Sequence, residues 1–322
     1  MSRSGAFKLV RLLVSAALIA FLIARLDLGQ VVKHLKGLAI TPLLLAAGSD
    51  LLMITTNATR WKLLLRAKGI DLSLGRLLYY NLTAVFFSSF LPTSVGGDFA
   101  RVVAVSTATE KRADAFASVV IDRLLGFFVL LPIMLISILF VSQQLQEWRL
   151  ILTVGVVGVL LCAGAYIVLL RPVARRLSRA LDPALRPLAR FKARERLEKA
   201  YEAIVVYKDA RGVLLAGLGL SVVSRLFWIL GCYFIARAFS LNLGIAVLLL
   251  VVPIVELLRM IPISISGIGV REAAFVAMLR QFGVEDSLGF AFSVVVYLVF
   301  FVFAVIGGIL YGTRQFAREK TG

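Results

Sequence analysis

The chain reads as an all-α, polytopic transmembrane helix bundle. Three observations say so: apolar runs of bilayer-spanning length, basic residues sorted by side, and two broken apolar segments that share a motif. Hydrophobic residues fill 60% of the 322 positions, and the mean hydropathy is +0.94. A soluble domain of this size needs a largely polar surface, so this much apolar side chain calls for an apolar solvent. Runs at 7–24, 40–58, 117–140, 151–170, 213–236 and 288–312 each approach or exceed the roughly 20 residues that cross a bilayer. They predict six spans within a single transmembrane domain covering 1–322: a first half at about 8–170, a basic loop at 171–211 and a second half at about 212–312. The first run has no small-residue cleavage site before Arg25 and precedes many further spans, so it reads as a span and not as a signal peptide.

The net charge of +18 would suggest nucleic acid in a soluble protein. Here the charge is sorted by side. With the N-terminus in the cytoplasm, 26 of the 36 Lys and Arg fall in cytoplasmic segments, six in outer loops and four inside apolar segments. That asymmetry is the positive-inside rule, and it predicts a cytoplasmic membrane of bacterial type with both termini inside and no nucleic-acid partner. The first outer loop, with Arg25, Lys33 and Lys36, is its weakest point. Within 171–211, apolar Leu197, Tyr201, Ile204 and Val205 recur at helical spacing. This segment is either a helix lying along anionic headgroups or a tether between the halves. Cys162 and Cys232 sit in separate apolar helices as small packing residues, and the single His34 offers no zinc arrangement. No metal or cofactor is expected.

Two apolar segments do not fit a plain span. Residues 77–91 are interrupted by Pro92 and then Gly96 and Gly97, and residues 247–261 by Pro262 and then Gly267 and Gly269. Each has about 15 apolar residues before its break, short for a crossing. Aligned, the breaks share the register P-x-S-x-x-G-x-x-x-R, from Pro92 through Ser94 and Gly97 to Arg101, and from Pro262 through Ser264 and Gly267 to Arg271. In the inside-first topology the first segment must return to the cytoplasmic side and the second to the outer side. Both are therefore expected as re-entrant hairpins entering from opposite faces, the pattern that marks a midplane site in secondary transporters. The two motifs are expected to approach each other.

Ionisable groups inside apolar segments are costly and point to function. Glu256 and Arg259, three apart, can pair on one helix face. Asp122 and Arg123 lie near a helix start, where they could partly snorkel. Arg225 is about twelve residues into its span and requires an acid partner, Asp50 or Glu256, or an anionic ligand. Arg101 and Arg271 each follow a glycine-bearing turn, where backbone N–H groups and a helix N-terminus could also face an anion. Either they hold an anionic headgroup, with Asp98 and Glu272 tuning charge or coupling protons, or they satisfy carbonyls of the broken helices. Trp61 and Trp228, close in sequence to Arg60 and Arg225, suit cation–π contact or, for Trp61, an interfacial anchor. Gly308-x-x-x-Gly312 reads as a packing motif within the bundle.

Four motifs taken together resemble a known family. They are Asn57-x-x-Arg60-Trp61; Leu91-Pro92-x-Ser94-x-Gly96-Gly97-Asp98-x-x-Arg101; Asp122-Arg123-x-x-Gly126; and Pro262-Ile263-Ser264-x-x-Gly267-x-Gly269-x-Arg271-Glu272. The chain is similar over about 8–312 to the transmembrane region of lysylphosphatidylglycerol synthases, a group of flippase-like membrane proteins. The resemblance implies a stand-alone flippase region and no enzyme activity. It implies membrane lipids as partners, whether an anionic phospholipid or a polyprenyl or hopanoid type, and allows a partner lipid-synthesis enzyme. Substrate contacts are then expected from Arg101, Arg271, Asp98, Glu272, Ser94, Ser264, Arg225, Glu256, Asp122, Arg123, Asn57 and Arg60.

A transporter or flippase for an amphipathic lipid headgroup is the leading expectation. A lipid-modifying enzyme would want an activated nucleophile or a metal cluster, and a scaffold would not need two broken helices with arginine-bearing turns. No G-x-x-x-x-G-K-[ST] loop for ATP occurs in the chain. The topology is testable by single-cysteine labelling of intact cells in a cysteine-free background. Positions 142–149 and 238–246 should label from outside; labelling at position 192 would overturn the orientation.

Overall fold

The computed structural model describes residues 28–90, 96–141, 210–260 and 267–319, together with Val156 and Tyr207. They form α1 (Leu28–Lys36), α2 (Ile40–Arg66), α3 (Leu74–Phe90), α4 (Gly96–Thr109), α5 (Arg112–Phe128), α6 (Leu130–Val141), α7 (Arg211–Ala238), α8 (Ile245–Met260), α9 (Val270–Arg280) and α10 (Asp286–Glu319). Four stretches are long and apolar enough to cross a membrane: Ile40–Arg66, Arg112–Val141, Arg211–Ala238 and Asp286–Thr313. The protein is thus an all-α, polytopic membrane-helix bundle. Large apolar side chains such as Ile40, Leu139, Phe140 and Leu215 face outward, as lipid contact requires. The expected spans at 7–24 and 151–170 lie outside the described residues, apart from helical Val156, as does the basic loop before Ala210 apart from Tyr207.

The single run expected at 117–140 is two helices meeting at Val129. Pro132 explains the joint: without an N–H it cannot bond the Phe128 carbonyl, so the ladder is interrupted there. The two broken segments interrupt where the sequence predicts, α3 ending at Phe90 and α8 at Met260; α4 begins at Gly96 itself, with Gly97 in its first turn, while α9 begins beyond Gly267 and Gly269. Their breaks at 91–95 and 261–266, which contain Pro92, Ser94, Pro262 and Ser264, lie outside the described residues.

The helices α2 and α7 form the longest packing seam. They run antiparallel in one register: Asp50 lies against Gly231, Asn57 Oδ1 accepts from Ser224 Oγ at 2.7 Å, and Arg60 donates to Ser221 Oγ at 2.8 Å. Small residues let the backbones approach, as membrane helices require when lipid offers no hydrophobic drive between them. On one side of this seam α2, α3, α4 and α5 enclose an apolar cluster around Trp61, Leu65, Leu77 and Val105. On the other, α6 to α10 pack around Leu248, Val251, Phe275 and Phe292, and Ser137 Oγ donates to the Ala246 carbonyl at 2.6 Å. Helix α4 folds back on α3, so that a Cβ on Gly97 would meet the Ala84 carbonyl oxygen at 2.5 Å. Helix α10 lies equally close to α3. A Cβ on Gly307 would fall 2.0 Å from the Leu82 carbonyl oxygen, and one on Gly308 2.7 Å from the Phe86 ring. Gly312 has nothing within 4 Å, so the glycine contact of α10 is the adjacent pair Gly307-Gly308 and not the expected G-x-x-x-G spacing.

Backbone cannot yield as a long side chain does, so Gly307→Ala and Gly97→Ala should each destabilise by about 1–3 kcal/mol. Thermal unfolding in mild detergent reads this as a lowered Tm. Gly48→Ala, whose Cβ would enter open space, should leave Tm unchanged.

Candidate functional site

Asp122 on α5 is 3% exposed and is shared by two arginines. Its Oδ1 accepts from Arg60 Nε of α2 at 2.6 Å, and its Oδ2 from Arg101 Nη2 of α4 at 2.9 Å. Arg60 also donates through Nη1 to Ser221 of α7, so one carboxylate ties four helices together. The Arg101 guanidinium stacks on Trp61 at 4.1 Å, and the indole N–H donates to Ser118 Oγ at 3.0 Å. Trp61 is therefore a buried shelf for Arg101, neither an interfacial anchor nor a partner of its neighbour Arg60. One turn before Arg101, Asp98 reaches its Nη1 at 3.7 Å and Arg123 Nε at 2.7 Å. Asp122 does not snorkel; Arg123, half-exposed, marks the rim of the cluster.

The second half repeats this theme with other elements. Glu256 on α8 accepts from Arg259 Nη1 one turn on at 2.8 Å and from Arg225 Nη1 of α7 at 3.4 Å. Of the two candidate acids for Arg225, Glu256 is the partner; Asp50 lies further along the α2–α7 seam at Gly231. Arg271 pairs with its neighbour Glu272 and stacks on Tyr297 of α10 at 4.3 Å. Glu272 also accepts from the Gly269 N–H at 2.7 Å, closing the first turn of α9. This corrects one expectation: that turn's N–H is held by the protein's own carboxylate and is not open to an anion. Gly267 and Gly269 have φ of +77° and +84°, which only glycine adopts without strain. A Cβ on Gly267 would also lie 3.0 Å from the Arg259 side chain.

The two arginine pairs meet at Gly126 of α5. The position a Cβ would occupy there is 3.5 Å from Arg225 Nη2 and 3.9 and 4.0 Å from Arg60 Nη1 and Nη2. A polar seam thus runs from Arg123 through Asp98, Arg101, Asp122, Arg60, Arg225 and Glu256 to Arg259. Along it lie six arginines, counting Arg271, and four carboxylates, counting Glu272. The Nε groups of Arg101, Arg259 and Arg271 are buried without an acceptor. Among the described residues no group of three or more His, Cys, Asp and Glu could hold a metal ion.

Of the expected contact residues, Arg60, Asp98, Arg101, Asp122, Arg123, Arg225 and Glu256 come together in this seam. Arg271 and Glu272 adjoin it behind Arg259 and Gly267, and Asn57 pins α2 to α7 one turn away. Ser94 and Ser264 fall outside the described residues. Trp228 packs edge-on against Phe300. Sequence reasoning missed Ser221 and Tyr297. Ser221, one turn before Arg225 on the same helix face, was a readable signal; the register of Tyr297 against Arg271 was not.

Fold and seam define a class: polytopic α-helical membrane proteins with a charged interior. Within it, the chain belongs to the lysylphosphatidylglycerol synthase transmembrane-region family, whose model matches residues 8–308. The match is to the transmembrane region and carries no synthase activity to this chain. Among similar proteins, a UPF0104 membrane protein of Methanothermobacter thermautotrophicus is 24% identical over 317 residues, covering 94% of this chain and 92% of the relative. Another, from Methanocaldococcus jannaschii, is 21% identical over 312 residues, covering 94% and 93%. Both are archaeal. No solved structure gives a significant match.

Removing a shared buried acid strands two cations. Asp122→Asn should destabilise the protein by about 3–5 kcal/mol, read as loss of monodisperse protein or a steep fall in Tm. Arg123→Gln, at the half-exposed rim, should cost less than about 1 kcal/mol in the same assay.

Proposed function

We propose that this protein is a transporter of the flippase type, moving an anionic or lipid-linked amphipathic headgroup across a cytoplasmic membrane. Membrane lipids are then its partners, with both termini and the 171–211 loop on the cytoplasmic side. One observation carries the reading. Inside an otherwise apolar bundle, each half supplies a carboxylate shared by two arginines, and the two arrangements touch. Buried charge of this kind costs stability unless it has a task.

A lipid phosphate crossing about 30 Å of hydrocarbon must exchange its hydration for fixed donors. Arg101 and Arg271 suit the first and last exchange, because each sits beside a broken helix with its guanidinium over an aromatic ring. The ring holds the guanidinium in place, so little order is lost when its fork meets a phosphate. Asp98 and Glu272 hold these arginines between passages, and the headgroup takes their place. The acyl chains stay in lipid beside exposed Phe99, Val103 and Phe116. In this reading the hairpins α3–α4 and α8–α9 enter from opposite faces and form an inverted pair.

The carboxylate that Arg101 and Arg271 each already hold favours a second reading, a scaffold in which they serve only structure. Proteoliposomes with labelled anionic lipid separate the two. Arg101→Gln and Arg271→Gln should each lower the translocation rate about tenfold or more, with Lys restoring part of it because charge remains and the fork is lost. Unchanged transport in both Gln variants would make these arginines structural; no transport by the wild-type protein would favour the scaffold.

A further inference from the structure

We infer that the corner at Gly126, between Arg60 and Arg225, is a binding site for a phosphate monoester dianion; this rests on reading the seam as the headgroup path. Asp122 carries one negative charge between Arg60 and Arg101, and Glu256 carries one between Arg225 and Arg259. Asp98 and Arg123 extend the first group, so three arginines share two carboxylates there and two share one in the second, a surplus of one positive charge in each. The groups meet at Arg60 and Arg225, so an arginine of each faces the same corner. Two guanidiniums closing on one point repel each other, and low surrounding polarity strengthens the repulsion. An anion of charge two placed between them removes it.

The donors match that ligand. Arg60 uses Nε and Nη1 on Asp122 and Ser221, and Arg225 uses Nη1 on Glu256. The Nη2 of Arg60 and the Nη2 of Arg225 have no protein acceptor among the described residues, and both lie within 4.0 Å of the Gly126 Cβ position. Gly126 is what lets both guanidiniums approach one point: its missing Cβ position is in van der Waals reach of Arg60 and Arg225, so a longer side chain there would displace them. Arg60 is 7% exposed, which fixes one wall. The Arg225 side chain, 23% exposed, gives the corner its access. A phosphodiester headgroup offers a single charge and leaves one arginine uncompensated. A terminal phosphate, with a second pKa of about 6, carries nearly two charges at pH 8 and has three oxygens for the two forks. A lipid with a terminal phosphate and free inorganic phosphate share this chemistry.

The test is binding to the purified full chain in detergent at pH 8, with fluorescent phosphatidic acid and phosphatidylglycerol of identical acyl chains. Phosphatidic acid should bind about tenfold tighter, the order expected for one further charge contact in a partly desolvated site. Gly126→Leu, which fills the corner without altering charge, should abolish the preference. Arg225→Gln should do the same while retaining weak binding of both lipids; it keeps the test decisive should Gly126→Leu elute as aggregate, because Glu256 still has Arg259. Inorganic phosphate that displaces phosphatidic acid assigns recognition to the phosphate alone, and failure to displace it assigns recognition to the lipid; either supports the site if the variants behave as stated. Equal binding of the two lipids by the wild-type chain, or a preference that survives in folded Gly126→Leu or Arg225→Gln, overturns it. Translocation without a phosphatidic acid preference would remove this site and spare the flippase reading; the preference without translocation would do the reverse.

Discussion

Burial of Asp122 between Arg60 and Arg101 is the constraint on which the first half of the bundle depends. In a medium that cannot solvate ions, a carboxylate must find its counter-charges within the protein. Here it finds two, from helices far apart in sequence, and the serine and tryptophan behind them orient the arginines. The positions of α2, α4, α5 and α7 follow from that single residue. The second half is looser. Glu256 holds Arg225 at 3.4 Å, and its side chain and both arginine partners keep partial exposure.

This difference gives the seam a direction. The Asp122 triad is sealed, while the Glu256 triad is open. In the proposed transport a headgroup would pass between an accessible set of donors and a buried one, by way of Gly126, where an arginine of each set approaches. Close glycine contacts of α3 with α4 and α10 keep the surrounding helices rigid enough for the corner to stay defined. A charged interior in a membrane bundle needs that rigidity, because a shift of a few ångströms would strand an ion in hydrocarbon.

Much of this was legible in the sequence. Hydropathy located the four long helices, since lipid admits only helices that satisfy their own backbone. Proline and glycine marked the ends of α3 and α8 within a residue or two, because neither can continue the ladder there. The cost of intramembrane charge singled out most of the seam. The partners of those charges were less legible: Asp50 and Glu256 stood equal as mates for Arg225, and Trp61 suited a contact with its neighbour Arg60 or an interfacial anchor, while its partner is Arg101.

The sequence by itself determined that this is a membrane bundle, where its helices break and which charges it must bury, because these depend on local composition against a fixed bilayer thickness. The tertiary structure alone decided who pairs with whom. Pairing depends on the rotation and register of helices packed across long sequence separations. The α2–α7 register that sets Arg60 against Ser221 leaves no periodic trace that distinguishes it from its neighbours. Gly126 makes the same point. In the sequence it is one glycine of 25, and only the packed bundle makes it the point where two arginines approach.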